Sequence, residues 1–150
     1  MRPITIGTGR ESTGVMVELL HAAITDAILK RFYFAGNKMG HGFLESVYQN
    51  VMFIELTEHG FSVRSKVRLP VHYRGRVVGD FQADLIVEDK VIVEIKAGRA
   101  IEPSAVAQTI NYLRASNLEV GLILNFGPKL EFQRVVAENS RKQSGTGPPR

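Results

Sequence analysis

The chain contains no cysteine and no tryptophan. Without cysteine there is no disulfide and no thiolate-ligated metal, which leaves oxygen and imidazole as metal donors. A reducing, cytoplasmic setting fits this composition. No apolar run reaches the roughly 18 residues that a membrane-spanning helix needs, so no membrane partner is expected. Met1 to Gly14 is polar and glycine-bearing, unlike the apolar core of a secretory leader. No two of His21, His41, His59 and His72 have zinc-ligand spacing. Only His41, near Glu45, stands close to a residue of interest. Gly7-Thr8-Gly9-Arg10 is not a phosphate loop, because no strand precedes it and no Gly-Lys-Ser/Thr follows.

An excess of charge is also missing from the body of the chain. The net charge is +4, but Ser140 to Arg150 carries Arg141, Lys142 and Arg150 with no acid. Setting those residues aside leaves 16 basic against 15 acidic residues, so net charge alone does not argue for a polyanionic partner. At 150 residues the chain suits one domain with one core.

Residues 1–16 read as a flexible lead, with glycine, serine and threonine in no period. From Val17 to Phe34, Leu20, Ala23, Ile24, Ala27, Ile28 and Phe32 recur at helical spacing. Ala35 to Gly42, with three glycines, is expected to break that helix. A second helix is expected from Gly42 to His59, ended by Gly60. Phe61 to Tyr73 alternates as a strand with one wet face. After a turn at Arg74-Gly75-Arg76, strands are expected over Val77 to Val87 and Val91 to Ile95. Pro103 suits the first turn of a third helix reaching Asn117. Glu119 to Phe126 has the continuous apolar character of a strand buried on both faces. Leu130 to Val136 is a further strand candidate. Residues 139–150 read as a disordered basic tail, leaving 17–138 as a single domain.

The chemistry concentrates in the hairpin at 77–96. Its odd positions, Phe81, Ala83, Leu85, Val87, Val91, Val93 and Ile95, are all apolar, whereas the even positions, Gln82, Asp84, Ile86, Ile92, Glu94 and Lys96, are mostly polar. Bringing both odd sets onto one face requires a three-residue loop at 88–90, which pairs Val87 with Val91 and Asp84 with Glu94. Lys96 follows on the same face. Two opposed carboxylates destabilise a sheet unless something offsets their repulsion. A bound Mg²⁺ is one such offset, since it takes a few carboxylates together with water and phosphate oxygens. Lys96 then stands where an ammonium can orient a water for attack on a phosphodiester. The same three residues are also what a solvated sheet face with an ion pair displays.

Other groups carry paired readings. Gly42, Glu45 and Tyr48 share a helical face, as do Gln108 and Tyr112; either set also fits a surface polar residue beside a half-buried tyrosine. Arg64, Lys66 and Arg68, with Arg74 and Arg76 nearby, form either a phosphate-contacting stripe or a strand edge protected by charge. With only Tyr73 interleaved, the edge reading is preferred. Arg99, just after Lys96, is the better phosphate contact by position.

Gly42-x-x-Glu45-x-x-Tyr48 resembles the signature of the GxxExxY proteins. So do Asp84-Leu-Ile-Val-Glu-Asp-Lys-Val-Ile-Val-Glu94-Ile-Lys96-Ala, Gln108-Thr-Ile-Asn-Tyr112-Leu and Gly121-Leu-Ile-Leu-Asn125-Phe126-Gly. Four segments agree in order and spacing between about Leu19 and Val136. His41 departs from the proline expected before the signature. The GxxExxY proteins are similar to the PD-(D/E)XK nuclease superfamily. That resemblance implies an α/β fold with a restriction-endonuclease-like αβββαβ core, a mixed sheet flanked by helices, here with an extra N-terminal helix. It implies Asp84 and Glu94 as ligands of Mg²⁺ or Mn²⁺, Glu45 as a further acid at the metal, and Lys96 as the catalytic lysine. Gln108 and Tyr112 resemble the Gln-x-x-x-Tyr motif of RecB-like nucleases, whose helix lies beside the active site.

The expectation is therefore a metal-dependent nuclease acting on DNA or RNA, with Gln108, Tyr112 and Arg99 toward the substrate. Its rivals are a catalytically silent nucleic-acid-binding module and a protein-interaction module on the same fold. A chain this short, with no separate recognition domain, is expected to draw specificity from a homodimer or a partner protein.

Overall fold

The computed structural model describes residues 5–6 and 20–142. In chain order the elements are β1 (Thr5–Ile6), α1 (Ala22–Met39), α2 (Glu45–Glu58), β2 (Val63–Tyr73), β3 (Arg76–Val87), β4 (Val91–Lys96), α3 (Pro103–Arg114), β5 (Val120–Phe126), β6 (Leu130–Val136) and a 3₁₀ turn, Asn139–Arg141. The strands form one mixed sheet in the order β1-β6-β5-β4-β3-β2. β4 and β5 run parallel, joined through α3, and β1 lies parallel to β6. The other neighbours are antiparallel. The expected αβββαβ order is present, preceded by α1.

The two faces of the sheet are covered by different helices. Leu85, Val87, Val91, Val93, Ile95, Leu122, Leu124 and Phe126 pack with α1 and α2. Ile86, Ile92, Ile123 and Val135 pack with Tyr112 and Leu113 of α3. β5 feeds both layers, and all seven of its residues are buried, as its unbroken apolar run requires.

Several assignments differ from the expected ones, three of them with a consequence for the fold. First, α1 begins at Ala22 and passes through Ala35 and Gly36 to Met39. Gly36 is buried in the helix because a Cβ there would lie 2.6 Å from the Leu130 side chain of β6. The glycine serves close packing, and the chain breaks only at Gly40, with φ +72°. Second, α2 starts at Glu45, since Gly42 has φ +110° and cannot belong to a right-handed helix. Gly42 therefore does not share a helical face with Glu45 and Tyr48. Third, the assigned lead and tail are partly structured. Thr5 and Ile6 pair with Arg134 and Val135. Lys142 donates to the carbonyls of Ser116 and Leu118 at 2.9 and 2.7 Å, holding the end of the domain over the α3–β5 connection. Residues 1–4, 7–16 and 143–150, the rest of the assigned lead and tail, lie outside the described residues.

Tyr48 joins the helical layer to the loop before α2. Its ring stacks on Phe126 at 4.4 Å, and Phe126 meets Phe32 edge-on at 4.9 Å. Its hydroxyl donates to the Gly40 carbonyl at 2.6 Å and accepts from the Phe43 amide at 3.3 Å. The phenol thus holds the 40–43 loop while the ring fills the core. Tyr48→Phe should cost about 1 kcal/mol, the net worth of a buried hydrogen bond, and Tyr48→Ala about 3–5 kcal/mol. Urea unfolding checks both, and equal losses for the two variants would mean that the ring contributes nothing.

Candidate metal and catalytic site

The parity argument predicts the β3–β4 register, and the ladder follows it through Val87↔Val91, Ile86↔Ile92 and Leu85↔Val93. Backbone pairing then stops, one step short of Asp84 and Glu94. Carboxylates take over the hydrogen bonds: the Ile95 amide donates to Asp84 Oδ2 at 2.7 Å, and the Asp84 amide donates to Glu94 Oε1 at 3.2 Å. The two acids expected to face each other do meet, as side chains substituting for the ladder.

The interruption has a partner on the neighbouring strand. Lys66 adopts φ +52°, and the β2–β3 register passes from Ser65↔Leu85 to Val67↔Ala83 without a Lys66–Asp84 pair. Beyond this level both strands change faces. Val63, Leu85 and Val87 belong to the α1–α2 side, whereas Val67, Leu69, Phe81 and Ala83 belong to the α3 side. The expected single apolar face for Phe81, Ala83, Leu85 and Val87 is therefore divided. Strict alternation fails because a residue in left-handed conformation inserts a local bend that period two does not anticipate. From α2, Gln49 Nε2 donates to the Asp84 carbonyl at 3.1 Å and fixes the acid's backbone.

Glu94 is 3% exposed. Desolvation first, and then the Asp84 carboxylate, push its pKa up from 4.5 to about 9. The nearby Lys96 opposes this only weakly. A proton held between the two acids therefore offsets their repulsion in the absence of a cation. The donor set, two adjacent carboxylates, suits a hard divalent ion that keeps part of its water shell. Among the described residues no cluster of three or more acidic or histidine ligands is formed.

Lys96 Nζ lies 3.4 Å from Gln108 Oε1, so the second turn of α3 faces the end of β4 as the Gln-x-x-x-Tyr spacing suggests. Tyr112, one turn on, is buried with its ring 5.1 Å from Phe81. Burial, followed by the Glu94 and Asp84 charges, pushes its hydroxyl up to about 12, so it stays a proton donor. A cleft of about 310 Å³ opens here, lined by Glu45, Lys96, Gly98, Glu102, Ser104 and Gln108 among others. Glu45, exposed at the first position of α2, thus lines the same cleft as Lys96. Arg99 is exposed in the following bend and does not line the cleft.

Two contributors lacked a strong signal in the chain. Gln49 sits one helical turn after Glu45, a spacing that could have marked it. Asn125, quoted above only within a family-like segment, is wholly buried. Its side chain accepts from the Gly98 amide at 3.0 Å and donates to the Gly98 carbonyl at 2.9 Å, clamping the loop after Lys96. Two members of the basic stripe are ion-paired, Arg64 with Asp89 at 2.9 Å and Arg68 with Asp80. This agrees with the protected-edge reading.

The family model that matches the chain is described as PD-(D/E)XK nuclease superfamily and covers residues 22–135. No curated protein matches. A solved structure, "Crystal structure of SSO0001", is similar at 14% identity and a TM-score of 0.46, with 62% of this chain and 50% of that chain covered. The match thus spans half the length of that structure.

The Glu94 proton sets a pH dependence. Between pH 4.5 and about 9 the folded chain keeps a proton that the unfolded chain releases. The stability associated with that proton is complete at the acid end and is lost as pH rises through about 9. Lys142, its pKa lowered by burial to about 8, acts in the opposite sense above that value, and His21, its pKa lowered by burial, does so at the acid end. In metal-free protein the melting temperature should fall by several degrees from about pH 5 to pH 8, and Glu94→Gln should remove most of that slope. Scanning calorimetry of both proteins checks it, and parallel profiles would show that Glu94 is not the group responsible.

Proposed function

Because the chain belongs to the PD-(D/E)XK nuclease superfamily, matched over residues 22–135, we propose that it is a metal-dependent nuclease that hydrolyses phosphodiester bonds of DNA or RNA. The observation that carries this reading is the Asp84–Glu94 pair, Glu94 buried and Asp84 half-buried, joined through Asp84 Oδ2 to the Ile95 amide, next to Lys96, which lines a cleft. A surface ion pair would not need a carboxyl 3% exposed with its pKa near 9. Asp84 and Glu94 would hold Mg²⁺ or Mn²⁺, with Glu45 contributing from the cleft through water. Such an ion stabilises the charge that develops on the phosphate and makes water more acidic.

The chain's own groups supply the rest. Lys96 holds the attacking water, and Gln108 Oε1 orients its ammonium. The Tyr112 hydroxyl, kept protonated, donates toward the carboxylates or a phosphate oxygen. Arg99, on the outer bend, meets a neighbouring phosphate. Tyr48, by holding the 40–43 loop, sets where α2 begins and hence where Glu45 stands. That role supports the finer placement among the GxxExxY proteins. No described helix is long and apolar enough to cross a membrane, and a cytoplasmic site of action agrees with the lack of cysteine. Specificity would come from a second copy or a partner protein.

Purified protein with Mn²⁺ or Mg²⁺ should cut nucleic acid, and Lys96→Ala should lower the turnover rate by about 10²–10⁴-fold. In the same preparation Mn²⁺ should raise the melting temperature of wild type and leave Asp84→Asn unchanged. Cleavage is followed on labelled single- and double-stranded DNA and RNA. Wild type and Lys96→Ala being equally inert on all four would sink the nuclease reading.

A further inference from the structure

β2 and β3 are 11 and 12 residues long, yet β3 pairs with β4 only through Leu85, Ile86 and Val87. The rest of the hairpin continues past the sheet, beyond the Lys66–Asp84 bend. Its root is anchored on the α3 side by Leu69 and by Phe81 against Tyr112. Its outer end is not covered: Tyr73, Val77 and Val78 are 58%, 61% and 63% exposed. Val77 and Val78 lie at the register shift opposite Val71 and His72, where β3 carries one extra residue, and both stand uncovered at the end of the ribbon.

The charge of this end is of one sign. Between Val71 and Gly79 the chain holds Arg74 and Arg76 and no acid, and the Arg74 guanidinium lies over the Tyr73 ring at 5.3 Å. Arg74 and Gly75 form the turn with φ +49° and +74°. Left-handed conformation at both central positions favours Asn-Gly, so arginine stands here against the conformational preference of the turn. The outermost edge strand carries Pro70, which cannot donate to an added strand. Pro70 disfavours a second copy or an extended peptide as the occupant.

We infer that the outer β2–β3 hairpin is an arm that enters the groove of a nucleic-acid duplex. Arg74 and Arg76 contact phosphates, and Tyr73, Val77 and Val78 contact the groove. A two-stranded ribbon fits the major groove of duplex DNA, where apolar side chains meet thymine methyl groups. This deepens the nuclease reading and rests on it. The arm starts at Asp84, and eight residues of strand span about 26 Å. That corresponds to about eight base pairs of duplex, so the arm would grip the substrate up to that far from the cut.

Binding of a labelled 30-base-pair mixed-sequence DNA duplex, followed by anisotropy in EDTA, tests the arm without cleavage. The variant Arg74→Asn/Arg76→Gln suits the turn conformation and should melt with wild type. Its affinity should fall tenfold or more at about 100 mM salt, and its log–log salt slope should shrink by about 2. Unchanged affinity and slope overturn the arm, as does a loss confined to a 30-nucleotide single strand, or a wild type that binds no duplex. The variant keeps Asp84, Glu94 and Lys96. Lys96-dependent cleavage persisting alongside unchanged binding would therefore discard the arm and leave the nuclease reading standing.

Discussion

Two carboxylates set side by side in a sheet impose the central constraint on this molecule. Glu94 cannot turn to solvent, because β4 is buried along nearly its whole length between two helical layers. Asp84 cannot turn away either, since its Oδ2 accepts the Ile95 amide and its own amide donates to Glu94. A like-charged pair with one member buried holds a proton or a cation, and the raised Glu94 pKa corresponds to the first of these states. A site of this kind has stability linked to its occupancy. Whatever replaces the proton must supply at least its charge, and a hard divalent ion supplies twice that.

The rest of the architecture can be followed outward from this pair. The β3–β4 ladder yields its next hydrogen bonds to the carboxylates, the neighbouring strand bends at Lys66, and the hairpin beyond the bend changes layers. Because of that change Phe81 reaches Tyr112 and closes the apolar layer beside the acids. Dry surroundings give Glu94 its perturbed titration, and the cleft lined by Lys96 and Gln108 opens beside the end of the same strand.

Much of this was legible in the chain because it follows from local rules. Parity alone selected the Val87↔Val91 register and brought Asp84 to Glu94. Helical spacing placed Gln108 and Tyr112 on the face that meets Lys96 and the carboxylates. The misjudged features depend on contacts distant in sequence. Gly36 reads as a helix breaker until Leu130, 94 residues later in the chain, is seen to need the space. Strict alternation assigned Phe81 and Ala83 to the wrong layer, since nothing about Lys66 announces a left-handed conformation. The anchoring of Lys142 on carbonyls of the α3–β5 connection likewise reads, in sequence, as one more basic tail residue.

The placement of Lys96 and Glu45 follows from topology as much as from side-chain identity. A parallel β4–α3–β5 crossover must leave the sheet at the end of β4 and return along α3, so the loop after Lys96 opens at the carboxyl end of the strand. Asn125, on the parallel neighbour β5, reaches across to clamp that loop at Gly98. The first turn of α2 meets the same opening because Tyr48 ties the preceding loop to the core. Glu45 and Lys96 are thus carried at the ends of rigid elements, and the loops beside them are pinned by the Tyr48 and Asn125 side chains. Rigidity of this kind lets a site of only two carboxylates, a lysine and a glutamine keep its geometry in a chain of 150 residues. The acids differ in how they are held: Asp84 Oδ2 accepts a backbone amide, Glu94 is buried, and Glu45 stands exposed at the cleft.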